Sequence, residues 1–387
     1  MPTNHTAGIY EKEPTGRFIS PFSLKVEPME RLLLINLGRD PDTLYLGFEP
    51  QVFDDPVNGK GLMVIAYLKD GKIDIYHQPG LTLEHNNYDV VGKGLSDLLE
   101  RPFEGARFEV RPQGVDIQFA FEDKQGRSIS VRICENSRKP RRPFSLLAPF
   151  PSAAEKPPSL PLALLYDFYF VRQAGTELEI QIDGKSHQPD SLPAPVDGSR
   201  MTFVRYSTDP LILNWNEAYD GSLTPLQPQG AGELEDRGVI YNLVEHAGHF
   251  EIQEMRPVKA TEAGHEIRFS FDPPFPDVAG LRDGTQAGGD FTVWLEESMG
   301  RIDGVYQVRR SGSRGEIEVH PNGGWHPGVR KWSVRIMFRL IPLFKNWPKS
   351  YRWTARLDLS QADAPRMESG WSRLPAKRDG AGILFKG

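Results

Sequence analysis

His77 has the position in this sequence that most favours chemistry. Residues 62–78 predict an apolar β-hairpin with Asp70-Gly71 at its centre, a pair that tolerates the positive φ of a two-residue turn. In that register His77 faces Val64, on an otherwise apolar face of the hairpin. An imidazole there is either hydrogen-bonded within the core or directed at a ligand as a neutral base or donor.

Acid–base chemistry at His77 needs a second titratable group in the same pocket. Tyr76 is its neighbour in the sequence, and Tyr306 lies in the second half of the chain. With an acidic residue, either phenol would complete a set of groups able to transfer protons to and from a substrate. The chemistry therefore depends on which side chains the fold gathers around His77.

A second histidine pattern is the H-x-x-H formed by His246 and His249, with Glu245 and Glu251 beside it. The intervening Gly248 indicates a hairpin turn rather than a helix, and a zinc site needs three or four ligands in defined geometry. We therefore predict no metal site. Glycine-rich pieces elsewhere do not follow a strand and open a helix, as a phosphate loop requires, so we predict no cofactor.

Aromatic residues crowd two parts of the sequence. One is the predicted strand 165–172, and the other lies beyond residue 290, where six of the seven tryptophans occur. Such rings either fill the interior of a β-fold or line a ligand cavity. With His77, Tyr76 and Tyr306, the candidate ligand-binding residues from these stretches are Tyr166, Phe168, Phe170 and Trp294.

The elements that must position these residues are short strands. Apolar and polar residues alternate along 115–122 and again along 129–133, whereas no stretch has the period of a long helix. Glycine (37) and proline (33) together make 70 residues, which suits many strands joined by turns. We predict an all-β protein built from antiparallel β-barrels or sandwiches.

The chain divides into two predicted β-domains. Residues 1–30 are expected to form an N-terminal arm, 31–219 a first β-domain, 220–236 a linker rich in Gly, Pro and Gln, and 237–387 a second β-domain with a C-terminal tail. The second half echoes the first in order, which predicts an internal duplication. The matching pieces are 48–50 with 271–273, 71–74 with 300–303, and 109–114 with 318–323.

Two consecutive, related antiparallel β-domains without a long helix resemble the paired lipocalin-like proteins that include carotenoid 1,2-hydratases (hydroxyneurosporene synthases). The resemblance covers roughly residues 30 to 360 and concerns the layout of the chain. It implies a pair of calyx-shaped barrels that handle a hydrophobic small molecule. A barrel of about eight strands is wide enough for one small ligand.

Composition narrows the classes of partner and compartment. The chain of 387 residues has 46 basic and 52 acidic residues, a net charge of −6 that argues against binding nucleic acid through its phosphates. It has one cysteine, no basic-then-apolar N-terminal segment and no apolar stretch near 20 residues. We expect a cytoplasmic protein without a transmembrane segment; its oligomeric state stays open.

Three functions fit these observations. The first is binding of a hydrophobic, lipid-like or isoprenoid-like small molecule in a β-barrel cavity. The second is an enzyme of hydratase or cyclase type that acts on such a ligand, with His77 and Tyr76 or Tyr306 transferring protons. The third is a structural or partner-binding module whose β-domains hold no ligand.

Overall fold

The computed structural model confirms the all-β prediction. It describes residues 8–10, 14, 16–88, 91, 93–149, 155–193, 195–328, 338, 344 and 346–374. These residues form curled antiparallel sheets of the half-barrel kind, with only short helical turns. No helix among the described residues is long and apolar enough to cross a membrane.

Strands account for nearly all regular structure. In the first half they are β1 (Leu24–Pro28), β2 (Arg31–Asn36), β3 (Tyr45–Asp55), β4 (Gly59–Leu68), β5 (Ile73–His77), β6 (Leu95–Glu100), β7 (Glu104–Arg111), β8 (Gly114–Glu122), β9 (Ser128–Glu135), β10 (Phe144–Ala148), β11 (Leu160–Arg172), β12 (Thr176–Ile182), β13 (Lys185–His187), β14 (Met201–Ser207) and β15 (Asp209–Trp215).

The second half continues in the same way. Its strands are β16 (Tyr219–Ser222), β17 (Gly232–Asp236), β18 (Val239–His246), β19 (His249–Pro257), β20 (Ile267–Phe275), β21 (Gln286–Leu295), β22 (Gly300–Ser311), β23 (Arg314–His326), β24 (Tyr351–Asp358) and β25 (Arg366–Arg373). The helical turns are a 3-10 helix (His85–Tyr88), α1 (Val258–Glu262) and α2 (Glu296–Met299).

The described chain divides into two compact units. The N-terminal unit comprises residues 27–149 and 163–212, and the C-terminal unit comprises 8–26, 155–162 and 213–374. The segment 220–236, expected as a linker, carries β16 and β17, and the expected arm 1–30 carries β1 together with buried Phe18 and Phe22.

Two sheets build the N-terminal unit. The large sheet has the order β15-β11-β14-β2-β3-β4-β5-β6, in which β5 and β6 are parallel. The smaller sheet has the order β13-β12-β9-β8-β7. Because successive side chains of a strand point to opposite faces, the register defines two faces of the large sheet. We name them the Tyr76 face, with Phe48, Val64 and Ala66, and the Glu49 face, with Gln51, Ile65, Tyr67, Ile75 and His77.

The predicted hairpin 62–78 exists, but its predicted register was wrong by one residue. His77 pairs with Met63 rather than Val64. The loop has three residues, because the Leu68 N–H bonds to the Lys72 carbonyl and Gly71, at φ 91°, adds a bulge to the turn. The extra residue moves every cross-strand pair by one position.

The C-terminal unit is one ten-stranded antiparallel sheet in the order β16-β25-β24-β23-β22-β21-β20-β19-β18-β17. Aromatic rings fill its core. One group surrounds Trp215, whose ring centroid lies 5.2 Å from that of Trp371 and 5.1 Å from that of Phe269. Another contains Phe22 and Phe275, whose ring centroids are 4.8 Å apart.

Candidate functional site

A buried carboxyl group lies among apolar side chains on the Glu49 face. Glu49 is in the middle of β3 and is 9% exposed. Its Oε1 accepts a hydrogen bond of 2.8 Å from Gln51 Nε2, and its Oε2 accepts one from the Tyr67 hydroxyl. Both oxygens therefore have donors, which a buried carboxyl group requires.

Burial changes the acidity of this pair. It raises the pKa of Glu49 above the ordinary value for glutamate, although the bonds from Tyr67 and Gln51 oppose the rise. Burial, followed by the nearby Glu49, also raises the pKa of Tyr67 well above that of a free phenol. A carboxyl group in this state keeps its proton to a higher pH than an exposed glutamate and can act as an acid.

Arg205 adds a cation to the same face. It lies on β14 directly opposite Leu34 of β2. Its Nη1 donates to Asn36 Oδ1 at 2.6 Å and to the Phe203 carbonyl at 3.4 Å, and its guanidinium carbon lies 4.3 Å from the centroid of the Phe203 ring. Burial lowers the pKa of Arg205 to about 10, so the group is still charged at neutral pH.

Apolar side chains surround these polar groups. At one end of the Glu49 face, apolar residues pack into a cluster to which Leu81 and Val91 also belong. Towards β11, Phe168, Phe170 and Phe203 form a chain of ring contacts, with centroids 5.3 Å and 6.4 Å apart. The apolar cluster consists of Phe53, Met63, Ile65, Ile73, Ile75, Leu81 and Val91.

The centre of the face is partly open. Leu34, Tyr67, Phe203 and Arg205 are half-buried, whereas Glu49 between them is buried. Burial nevertheless shifts the pKa values of Tyr67 and Arg205 strongly. Side chains that are surrounded by many protein atoms but are still accessible to solvent are typical of a concave surface.

Three of the predicted ligand-binding residues belong to the Glu49 face. His77 lies at the end of β5 and is 8% exposed, and its Nδ1 is 3.1 Å from the Gln78 carbonyl oxygen. Phe170 lies directly opposite Arg205, and Phe168 follows the same alternation along β11. The structure therefore places a histidine and two of the predicted rings on the face that carries Glu49.

Tyr76 lies on the opposite face from His77, so the two do not form the expected proton-transfer pair. Its hydroxyl is 2.9 Å from that of Tyr45, which donates to Asp123 at 3.2 Å. Arg127 pairs with Asp123 at 2.9 Å and with Asp42 at 3.0 Å. This network joins the β2–β3 and β8–β9 connections, and its ion pairs indicate a structural role.

The other predicted residues lie elsewhere. Tyr166 is buried on β11, where its carbonyl accepts a hydrogen bond from Ser207. Tyr306 and Trp294 belong to the C-terminal unit. The Tyr306 hydroxyl donates to the Pro273 carbonyl at 2.6 Å, while Trp294 is 43% exposed and packs beside Arg301.

The H-x-x-H histidines form a separate cluster in the C-terminal unit. His249 Nδ1 lies 2.8 Å from Asp277 Oδ2, and the Tyr10 ring stacks on the imidazole at 4.1 Å. Glu251 accepts a hydrogen bond from Tyr10 and lies 3.4 Å from His246 Nδ1. Within the described residues, no group of three or more His, Cys, Asp or Glu side chains is arranged to hold a metal ion.

Sequence reasoning missed the polar centre of the Glu49 face. The signal was present in β3, where Gly47, Glu49 and Gln51 alternate with apolar residues. Polar residues at every second position usually indicate a solvated face. The sequence alone did not show which residues lie next to Glu49. Tyr67 comes close to it through the register of β3 with β4, and Arg205 is far away in the chain.

Comparison with known proteins identifies no family for this chain. Neither family models, nor curated proteins, nor solved structures match this sequence.

Proposed function

We propose that the N-terminal unit binds a hydrophobic small molecule on the Glu49 face. The single observation that supports this function is the combination of one buried, hydrogen-bonded carboxyl group with an apolar surface that is half-open at its centre. Ligand sites are mostly apolar and carry a few polar groups that fix orientation. The Tyr67 and Arg205 side chains supply those groups, and the phenylalanines of β11 and β14 supply the apolar wall.

Native mass spectrometry tests this function. The purified protein is incubated with a cell lipid extract, separated from free lipid and measured under native conditions. We expect the wild type to retain a bound small molecule. The variant L34W, which adds an indole at the half-open centre, should lose it, whereas E177W adds the same ring at an exposed position of β12 and should retain it. Equal retention by both variants, or none by the wild type, would reject this ligand site.

A second candidate function is catalysis at the same place. The observation that favours it is the raised pKa of Glu49, which keeps a proton in apolar surroundings. Glu49 would protonate a carbon–carbon double bond of the ligand. The resulting cation would take up water, or a nucleophile within the same molecule, and a proton would return to the Glu49 carboxylate. Hydration and cyclisation both follow this sequence of proton transfers.

Incubation of the retained ligand with protein separates catalysis from binding. The mass of the recovered small molecule is measured by liquid chromatography and mass spectrometry. Hydration adds one water to the ligand, and cyclisation changes retention time without changing mass. For an enzyme, we expect E49Q to bind the ligand and not convert it. An unchanged ligand with the wild type would leave binding as the function.

A further inference from the structure

We infer that the ligand carries a carboxylate head group, which Arg205 binds over Leu34. This inference rests on the ligand site proposed for the Glu49 face. It names the chemical class of the ligand as a long-chain carboxylate, with the carboxylate beside the guanidinium and the apolar body along the aliphatic and aromatic side chains of that face.

The register places the polar groups in one row. Arg205 lies opposite Leu34. Leu32 pairs with Gln51 and Asn36 with Gly47, so Leu34 lies opposite Glu49. Adjacent strands are about 4.8 Å apart, which separates the backbones of Arg205 and Glu49 by about 10 Å. The space above Leu34 therefore lies between the guanidinium and the carboxyl group.

Two of the three guanidinium nitrogens of Arg205 are available to donate further hydrogen bonds. Its Nη1 is occupied by Asn36 Oδ1 and the Phe203 carbonyl. Within the described part of the chain, its Nε and Nη2 donate to no protein acceptor, and no carboxylate oxygen lies within 4.0 Å of its nitrogens. The Phe203 ring covers one face of the guanidinium and fixes its orientation. One edge of the planar group is thus available for a carboxylate.

Three arginines of the N-terminal unit whose side chains are more than 80% buried have carboxylate partners. Arg172 pairs with Glu135 at 3.4 Å and with Asp197 at 3.1 Å. Arg127 pairs with Asp42 and Asp123, and Arg141 pairs with Asp167 at 2.9 Å. A buried cation without an anion is costly, and a bound anion removes that cost. Arg205 differs from these three arginines because no carboxylate of the described residues lies within ion-pair distance of it, and a ligand carboxylate would supply one.

Glu49 forms no ion pair with Arg205, although the charges of the two groups attract each other. Its oxygens are taken by Tyr67 and Gln51, and it lies beyond ion-pair distance of the guanidinium. While it carries its proton, it does not repel an incoming carboxylate.

Fluorescence titration with 11-(dansylamino)undecanoic acid and its methyl ester tests the inference, because the two probes differ only in the charge of the head group. At pH 7 we expect the wild type to bind the acid about tenfold or more tightly than the ester. R205M should bind the two probes equally. L34E places a carboxylate opposite Arg205 and should also lose the preference, while the neutral control L34Q should keep it.

The outcomes separate the two proposals. Equal binding of acid and ester by the wild type would overturn the carboxylate head group and leave the ligand site intact. Binding of neither probe would reject the ligand site as well. A preference that persists in both R205M and L34E would place the anion at another cation. Thermal unfolding of each variant shows whether it is folded, and L34Q controls for the loss of the leucine.

Discussion

Arg172 and Arg205 lie on two paired strands of one sheet, but their surroundings differ. Arg172 is 2% exposed and bonds to Glu135, Asp197, the Tyr169 hydroxyl and two backbone carbonyls of the segment 139–140. Arg205 is half-buried and bonds only to the Asn36 side chain and one carbonyl among the described residues. Carboxylates of the protein thus pair directly with the first cation, whereas none of the described carboxylates lies within ion-pair distance of the second, which we propose binds an anion from outside.

The largest effect should come from the arginine that is fully paired. R172M leaves two buried carboxyl groups without their cation, and removal of one partner of a buried ion pair costs about 3–5 kcal/mol. R205M removes a cation that has no carboxylate within ion-pair distance, but it leaves the buried Asn36 Oδ1 without its donor, so it should cost about 1–3 kcal/mol. Urea unfolding of both variants measures the difference. Equal losses would contradict the distinction between the two sites.

A smaller loss is expected at the Tyr67–Glu49 hydrogen bond. Y67F leaves Glu49 Oε2 without its donor, and a buried acceptor without a partner costs about 1–3 kcal/mol. The matched control is Y219F, which removes a hydroxyl on an exposed part of β16 that donates to the Ser222 carbonyl. Urea unfolding should separate the two variants. A similar change in both would mean that Glu49 does not depend on Tyr67.

The pH dependence of stability tests the raised pKa of Glu49. The native state holds this proton above the ordinary value of 4.5, whereas the unfolded state loses it there. Stability therefore falls as pH rises from 4.5 through the native pKa, by at most about 1.4 kcal/mol per pH unit.

E49Q should remove this part of the slope, so its stability relative to the wild type should increase with pH. The control E177Q changes an exposed glutamate and should leave the slope as it is. Urea unfolding between pH 4.5 and pH 8 gives both curves. Parallel curves for E49Q and the wild type would show that the pKa of Glu49 is not raised.

The smallest effect is expected for an arginine at the surface. Arg301 bonds to Asp303 at 3.0 Å and lies 5.5 Å from the Trp294 ring centroid, but its side chain is 45% exposed. Exposed ion pairs and cation–π contacts contribute about 0.5–1 kcal/mol. R301A should stay within that range in urea unfolding. A loss as large as that of R172M would mean that exposure does not decide the contribution of these arginines.

The sequence predicted the all-β fold, since alternation and turn residues are local signals. It placed the 62–78 hairpin correctly but not its register, because Asp-Gly also fits a three-residue loop with a bulge at Gly71. Ile73 and Ile75 of the same strand share the face of His77 in either register, but the error changes its cross-strand neighbour from Val64 to Met63. The internal duplication stays a prediction.

The polar centre of the site could not be predicted, for two physical reasons. Glu49 and Tyr67 meet only through the pairing of β3 with β4, and Arg205 meets Leu34 through strands separated by most of the N-terminal unit's sequence. A carboxyl group in a strand also looks solvated until its burial is known. Tyr76 was predicted to bind the ligand together with its sequence neighbour His77. Neighbouring residues of a strand point to opposite faces, however, so Tyr76 lies on the other face of the sheet.

Photochemical labelling tests the central claim, the location of the ligand, most directly. The wild type is irradiated with a hexadecanoic acid that carries a diazirine midway along its chain, and labelled peptides are identified by mass spectrometry. We expect labels on β2 to β5, β11 and β14, within 31–77, 163–172 and 201–207, and their loss in the presence of excess unlabelled hexadecanoic acid. Labels confined to residues 213–374, or none that unlabelled acid displaces, would contradict it.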